Sequence, residues 1–392
     1  MELMFFNDIY HFPAKSIFFA LPYLALTLIS FIALNGRQQN DSKKNKSIYI
    51  CLFLLFLFFF GFRWHIMSDS LAYEQEYLTL KPVFSWHYID VHSWWWDKGF
   101  VIFTMLTKLI SDDFRFFVFI NALIDISLFV ICIRRYSSNY LVTVMAFLAF
   151  QGILTEINLF RNIKAILLFL ISIRYIENRK WYYFFGINLL GYTFHSSALL
   201  FFPMYWILNV KLKLKYVVAV MSVFTIIYLF QINIMENYIS QYMPTDGVMS
   251  NKLDAYLGNS TDTVLSIGTF ERLLTLCVGL WVYYKTDNPP RLFTIFLNSF
   301  LVFYVAYSLF GFNEVLRDRI PYLFIYSYWF LYPYLFSYIV SRKKSMKYVF
   351  YALFFLKVYT STCLCSAYYE NILINDVSTR SQRNFLLYKA DQ

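Results

Sequence analysis

The sequence predicts an all-α polytopic membrane protein of about twelve transmembrane helices, with one further re-entrant or interfacial helix. Three observations predict it. Of 392 residues, 59% are hydrophobic and only 15% charged, against the roughly 25% charged residues of soluble domains. The apolar residues fall in runs long enough to cross a hydrocarbon layer of about 30 Å. Lysine and arginine collect in short clusters between these runs, as orientation signals do. The net charge of +10 is therefore read as membrane topology, and nucleic acid is not an expected partner.

The runs lie near 16–34, 48–64, 114–133, 140–157, 160–176, 215–233, 268–284, 291–311, 319–340 and 347–366. The stretch 182–210 is too long for one crossing, and His195-Ser196-Ser197 divides it into two short ones. No positive charge precedes Lys15, so the first run lacks the basic opening of a cleaved signal peptide and is expected to stay. Cys51, Cys132 and Cys277 lie in or beside apolar runs with no paired metal spacing, and packing is their expected role; Cys363 and Cys365, two apart at a helix end, are not expected to form a disulfide or metal site.

Orientation follows from the loops. With 35–47 (Arg37, Lys43, Lys44, Lys46) inside, the other inner loops carry Arg134 and Arg135; Arg174, Arg179 and Lys180; Lys211, Lys213 and Lys215; Lys285 and Arg291; and Arg342, Lys343, Lys344 and Lys347. Two long outer loops run acidic, 65–112 and 234–267, and a polar tail covers 367–392. The solution requires that 99–110, with Lys108, does not cross, since about a dozen residues span little more than half the bilayer. There is no internal repeat and no linker, so the chain reads as a single transmembrane domain, 1–392, whose first outer loop holds a short helix.

Once oriented by loop charge, the costly polar residues gather on the outer side. They are Arg63, Asp69, Asp97, Glu156, Arg161, His195, Arg317, Asp318 and Arg319, with Tyr322 just beyond. Outer arginines oppose the positive-inside bias, and a charge near the bilayer centre costs about 2.5 to 3.5 kcal/mol. Guanidinium binds phosphate oxygens bidentately, so a group of arginines at one face suits a diphosphate. The plainer reading is that each arginine snorkels or pairs with Asp69, Glu156 or Asp318. His195, at a helix break, and Asp69 are candidate proton acceptors; a carbonyl-bound histidine and a helix-capping aspartate are their structural alternatives. Asp125 and Asn121 lie mid-run, where a buried hydrogen bond is expected. His65, His87 and His92 share the first outer loop with several tryptophans, in no familiar metal spacing.

Taken in order, Gly61-Phe62-Arg63-Trp64, Asp69 and Tyr73, Asp97-Lys98-Gly99-Phe100, Phe160-Arg161 with Ala165, Phe194-His195-Ser196-Ser197-Ala198-Leu199, and Arg319 with Pro321-Tyr322 make a pattern. It resembles the EpsG-like branch of the Wzy-type O-antigen, capsular and exopolysaccharide polymerases. The pattern departs in having Met67 where a glycine is common, Asp97 where glutamate is frequent, and Asn162 and Lys164 after the arginine.

The resemblance implies a fold like the GT-C membrane glycosyltransferases and an enzyme of the bacterial inner membrane with its site facing the periplasm. Its donor and acceptor would be oligosaccharide repeats on undecaprenyl diphosphate, with membrane lipids and a chain-length regulator as further partners. His195 and Asp69 would then be catalytic; Arg63, Arg161, Arg317 and Arg319 would hold the diphosphate; Tyr73, Asp97 and Tyr322 would orient substrate. No cofactor and no metal are implied. The rival readings are an O-antigen ligase, a lipid-linked oligosaccharide flippase and a membrane O-acyltransferase.

Overall fold

The computed structural model describes residues 12–35, 42–82, 85–92, 96–211, 213–230, 232, 267–311, 316, 319–374 and 377–390. Arg317, Asp318 and the loop expected at 234–267, except for its last residue, lie outside them. The described chain is helical, and among the described residues the β-pairing is confined to two isolated bridges, Lys15 with Leu364 and Arg63 with Asn371.

The apolar runs become helices with nearby bounds. We number them α1 (Ile17–Leu34), α2 (Ser42–Phe56, continued by a π turn, Leu57–Gly61), α3 (Asp69–Thr79), α4 (Trp86–His92), α5 (Lys98–Lys108) and α6 (Phe114–Tyr136). Then come α7 (Tyr140–Ala149), α8 (Gly152–Asn158), α9 (Asn162–Glu177), α10 (Trp181–Phe194), a 3₁₀ turn (Ser196–Phe201), α11 (Met204–Ile207) and α12 (Leu214–Leu229). The remainder are α13 (Ile267–Lys285), α14 (Arg291–Phe310), a 3₁₀ turn (Pro321–Phe324), α15 (Tyr326–Arg342), α16 (Met346–Thr362) and α17 (Arg380–Ala390). Short polar caps start several of them: Ser16 accepts from Phe18 N, Asp113 from Arg115 N, and Asn139 from Val142 N.

Hydropathy measures apolar length, not helical continuity, and here the two differ. Among the described residues, three helices are long and apolar enough to cross a membrane unaided: Ile17–Leu34, Phe114–Tyr136 and Arg291–Phe310. The run expected as one helix over 140–157 is instead α7 and α8, bent by 60°. The break is backbone-driven: Gln151 takes φ 60°, in the left-handed region, and no space remains at Gly152 for a Cβ, which would fall 2.4 Å from Phe147 O. The run over 182–210 divides at His195, as expected, because His195 is extended between α10 and the 3₁₀ turn.

α7 is the central helix. Every residue from Leu141 to Ala149 is buried, among α1, α15 and α16, as befits a helix apolar on all sides. Trp329 of α15, fully buried, donates its indole N–H to Phe150 O at 2.9 Å and packs edge-on to Phe129 and Phe147. Asp125 of α6 is likewise buried, and its partner is Lys164 of α9 at 2.8 Å; Lys164 also donates to Asn121 Oδ1 at 2.6 Å. These apolar helices suit a protein embedded in a membrane.

The bundle has two chemically distinct ends. At one, Arg134 lies over the Tyr49 ring, and Arg291 donates to the carbonyls of Glu177 and Ile176 and to Asn209 Oδ1. At the other, the polar residues collect. The tail folds back onto this second end: Trp64 N donates to Glu370 O, Ile372 N to Phe62 O, and Met67 N to Ser366 O. A buried ion pair, Arg383 to Glu370 at 2.6 Å, fixes α17 there, and Trp64 Nε1 donates to Ser378 O. These contacts hold the segment that leads into Asp69.

Candidate functional site

The site is built where α3, α5, the α8–α9 turn and the α10 break meet. Arg161 caps α9 from the turn after α8. Its Nε donates to the Tyr73 hydroxyl on α3 at 3.2 Å, and its Nη1 lies 3.6 Å from Asp97 Oδ2. Asp97 Oδ1 accepts the backbone N–H of Ser196 at 3.1 Å. One carboxylate thus joins the arginine to the broken helix. Gly99 makes this approach possible: a Cβ there would lie 2.4 Å from Thr193 Oγ1 and 2.7 Å from Thr193 O, so α5 crosses α10 only without a side chain.

His195 Nδ1 accepts the Ser197 backbone N–H at 3.2 Å and also contacts the Ser197 hydroxyl. An acceptor nitrogen carries no proton, so the ring's hydrogen sits on Nε2. Burial, with repulsion from Arg161 and Arg319, pushes the imidazole down to about 3. His195 is therefore neutral, capping the 3₁₀ turn with one nitrogen and offering an N–H with the other.

Asp69 begins α3, held by Asn158 Oδ1, which accepts its backbone N–H at 3.2 Å. Burial raises its carboxyl above the usual range, while Arg319 and then Arg161 pull it back. Burial likewise raises Asp97, against Arg161 and the Ser196 N–H. Arg319, at the start of the Pro321–Phe324 turn, acts on Asp69, Tyr73 and His195 alike. Six of the nine expected residues are thus linked: Tyr73, Asp97 and Arg161 by direct contacts, with Asp97 reaching the backbone beside His195, and Asp69, His195 and Arg319 through charge interactions.

The other three do not join them. Arg317 lies outside the described residues. Arg63, expected to face a diphosphate, is 3% exposed. Its guanidinium donates to Phe60 O at 2.9 Å, Ile157 O at 2.9 Å and Glu156 O at 3.4 Å, and it lies over the Phe160 ring. It closes the π turn and the end of α8, so its fork has carbonyl partners in place of phosphate. The reason is local: a π turn and a helix C-terminus both leave carbonyls without intrahelical donors. Tyr322 has its electrostatic effect on Arg272 instead.

Arg272 was not among the expected residues. It sits in α13, its Cζ 3.8 Å from the Tyr307 ring centroid and 5.9 Å from that of Phe303. The sequence carried a signal for it, a Glu271-Arg272 pair inside the apolar run 268–284. Lys164 was a second omission; its Nζ also donates to Phe160 O at 3.2 Å, one residue before Arg161.

Among the described residues no group of three or more His, Cys, Asp and Glu side chains is arranged to hold a metal ion. Residues 46–374 match the model of the EpsG family. The chain belongs to the EpsG family. This is a family of Wzy-like polymerases, and the match covers most of the chain. No curated protein and no solved structure gives a significant match. Membership gives the chain a polysaccharide-polymerase-like function in a membrane. Where EpsG-like sequences commonly have glycine, Met67 takes φ 63°, a conformation that favours glycine and turns the chain into Asp69.

Proposed function

We propose that this EpsG-family protein is a glycosyltransferase that joins oligosaccharide repeats carried on undecaprenyl diphosphate. About twelve crossings, counting broken and short helices, orient the basic loops toward the cytoplasm. The polar end then faces the periplasm across a bacterial inner membrane, where a chain-length regulator would meet the product.

The observation that carries this reading is Arg161, held by Tyr73 and Asp97 beside the helix break at His195, with Arg161 and Arg319 both acting on Asp69 and on His195. The growing chain is the donor. As its anomeric C–O bond to diphosphate breaks, the electron pair leaves with the phosphate, and Arg161 and Arg319 stabilise the charge that develops. A hydroxyl of the incoming lipid-linked repeat bonds to the anomeric carbon and gives its proton to Asp69. We assign the base to Asp69 because burial makes its carboxyl more basic, and because His195 Nδ1 already accepts a hydrogen bond. His195 Nε2–H donates to a phosphate or sugar oxygen. Tyr73 and Asp97 position Arg161. Two guanidiniums supply the charge that a metal ion supplies in soluble glycosyltransferases, so chelators should leave the reaction unchanged.

The test is polymer length in cells lacking the native copy and supplied with Arg161→Ala, Arg319→Ala or Asp69→Asn. Loss of the long-chain ladder at normal protein level supports the reading. Full ladders from all three overturn it.

A further inference from the structure

Two observations about Arg272 call for an explanation that the fold does not supply. Its Nε and Nη1 are buried and have no hydrogen-bond partner among the described residues. A charged donor left unmatched in a buried place is costly, and such a group in a native protein needs a partner such as water, an ion or a ligand. The neighbouring carboxylate does not fill the need. Glu271 Oε2 lies 3.0 Å from Lys357 Nζ and accepts from the Tyr328 hydroxyl at 3.2 Å, while its Oε1 accepts from Thr275 at 3.0 Å.

Among the described residues, Lys357 balances Glu271 and leaves Arg272 as net positive charge. Its Cζ lies over the Tyr307 ring, 3.8 Å from the centroid, a contact that uses none of its N–H groups. The unmatched Nε–H and Nη1–H lie on different edges of the planar guanidinium, so each can donate to a separate anionic oxygen, as a diphosphate offers. Arg319 acts electrostatically on Asp69 and His195, and Tyr322, close to it in sequence, acts on Arg272.

We propose that Arg272, backed by Tyr307, is a second phosphate site, which holds the diphosphate of the acceptor lipid while Arg161 and Arg319 hold that of the donor. This rests on the polymerase reading for the names of the two lipids; the anion site itself does not. A transfer between two lipid-linked substrates needs a place for each diphosphate.

The experiment is binding stoichiometry on the purified full-length chain in detergent, by native mass spectrometry, with farnesyl diphosphate and separately with inorganic diphosphate. Wild type should bind two equivalents of farnesyl diphosphate. Arg272→Gln and Arg161→Gln should each bind one, and the double variant none. A second equivalent of inorganic diphosphate that Arg272→Gln abolishes also supports the site and shows that the phosphates suffice. Arg272→Lys should keep the second equivalent with affinity weakened about 10- to 100-fold, the loss of one or two charge-assisted bonds. Without ligand, Arg272→Gln should melt no lower than wild type, since it removes an unmatched buried charge; a purely structural role would lower it. Two equivalents retained in Arg272→Gln, or a single equivalent in wild type that only Arg161→Gln removes, overturns the proposal. Sugar transfer is not read, so failure of the polymerase reading would appear in the ladder test and not here.

Discussion

Arg161 and Asp97 face each other at 3.6 Å, Nη1 to Oδ2, while the second oxygen of Asp97 receives the Ser196 N–H at the helix break. The aspartate therefore has a charge role and an acceptor role, and the two are separable. Asparagine keeps the acceptor and loses the charge. Asp97→Asn should fold with a melting temperature near wild type and extend polymer about 10-fold more slowly, as a loosened electrostatic contact implies. Asp97→Ala should lower both. Melting curves and initial rates of chain extension check this; equal rates in Asp97→Asn and wild type would remove the positioning role.

His195 separates in the same way. Glutamine carries an N–H near the place of imidazole Nε2, and asparagine carries an acceptor near that of Nδ1. If Nε2–H is the working group, His195→Gln should retain more activity than His195→Asn, while His195→Asn should be the more stable. Loss of the cap costs about 1 kcal/mol. Since the imidazole lies down to about 3, no rate change should mark a histidine near pH 6.5. Activity should instead fall at lower pH, as Asp69 takes up a proton at its raised value. Rate profiles from pH 4 to 8 for wild type and His195→Gln test this; an acid limb near 6.5 that the variant loses would restore the histidine as base.

Lys164 and Asp125 form a buried pair at 2.8 Å that braces the turn carrying Arg161. Removing one partner leaves an uncompensated charge and should cost about 3 to 5 kcal/mol. Replacing both, as Asp125→Leu with Lys164→Met, should recover most of this, less about 1 kcal/mol for the acceptor left on Asn121. A double-mutant cycle on thermal midpoints reads the coupling. Additive losses would show that the pair is not a unit.

His65 should set the acid side of stability. It is 2% exposed, and burial, then Arg383, Arg380 and Arg63, pushes it down to about 3. Its Nε2 lies 3.2 Å from Glu74 Oε2, and burial also raises Glu74, so the shift of His65 disfavours an ion pair there. The folded value lies below the unfolded one, so the unfolded chain takes the proton first as pH falls. The contribution is complete above about pH 6.5 and is lost by about 1.4 kcal/mol per unit below it. The upward shift of Glu74 acts in the opposite sense, nearer its own titration. Thermal midpoints between pH 7 and 5.5 should fall in wild type and stay flatter in His65→Gln. Equal slopes would contradict this.

The helices themselves were legible, because a membrane leaves backbone groups few partners outside a helix and apolar length marks them. Loop charge grouped Asp69, Asp97, Arg161, His195 and Arg319 on one expected side, and of these Asp97 and Arg161 face each other in the fold. Continuity was not legible over 140–157, where the 60° bend follows from the left-handed conformation of Gln151, which no hydropathy measures. Partners were not legible either. Arg63 and Arg161 look alike in sequence, and only packing shows one guanidinium closing a π turn while the other reaches Tyr73 and Asp97. Arg272 was passed over because its apolar run read as a plain crossing, although a charge inside a run is the same signal that singled out Arg161.

The central claim is tested most directly by chain extension in vitro, with the purified full-length protein in lipid vesicles, lipid diphosphate-linked repeat units as the sole substrate, and a chelator present. Products longer than one repeat from wild type, absent with Asp69→Asn and reduced at least about 100-fold with Arg161→Ala, are expected. Wild type that yields no product longer than one repeat, or an Asp69→Asn variant that extends chains at the wild-type rate, would contradict the account.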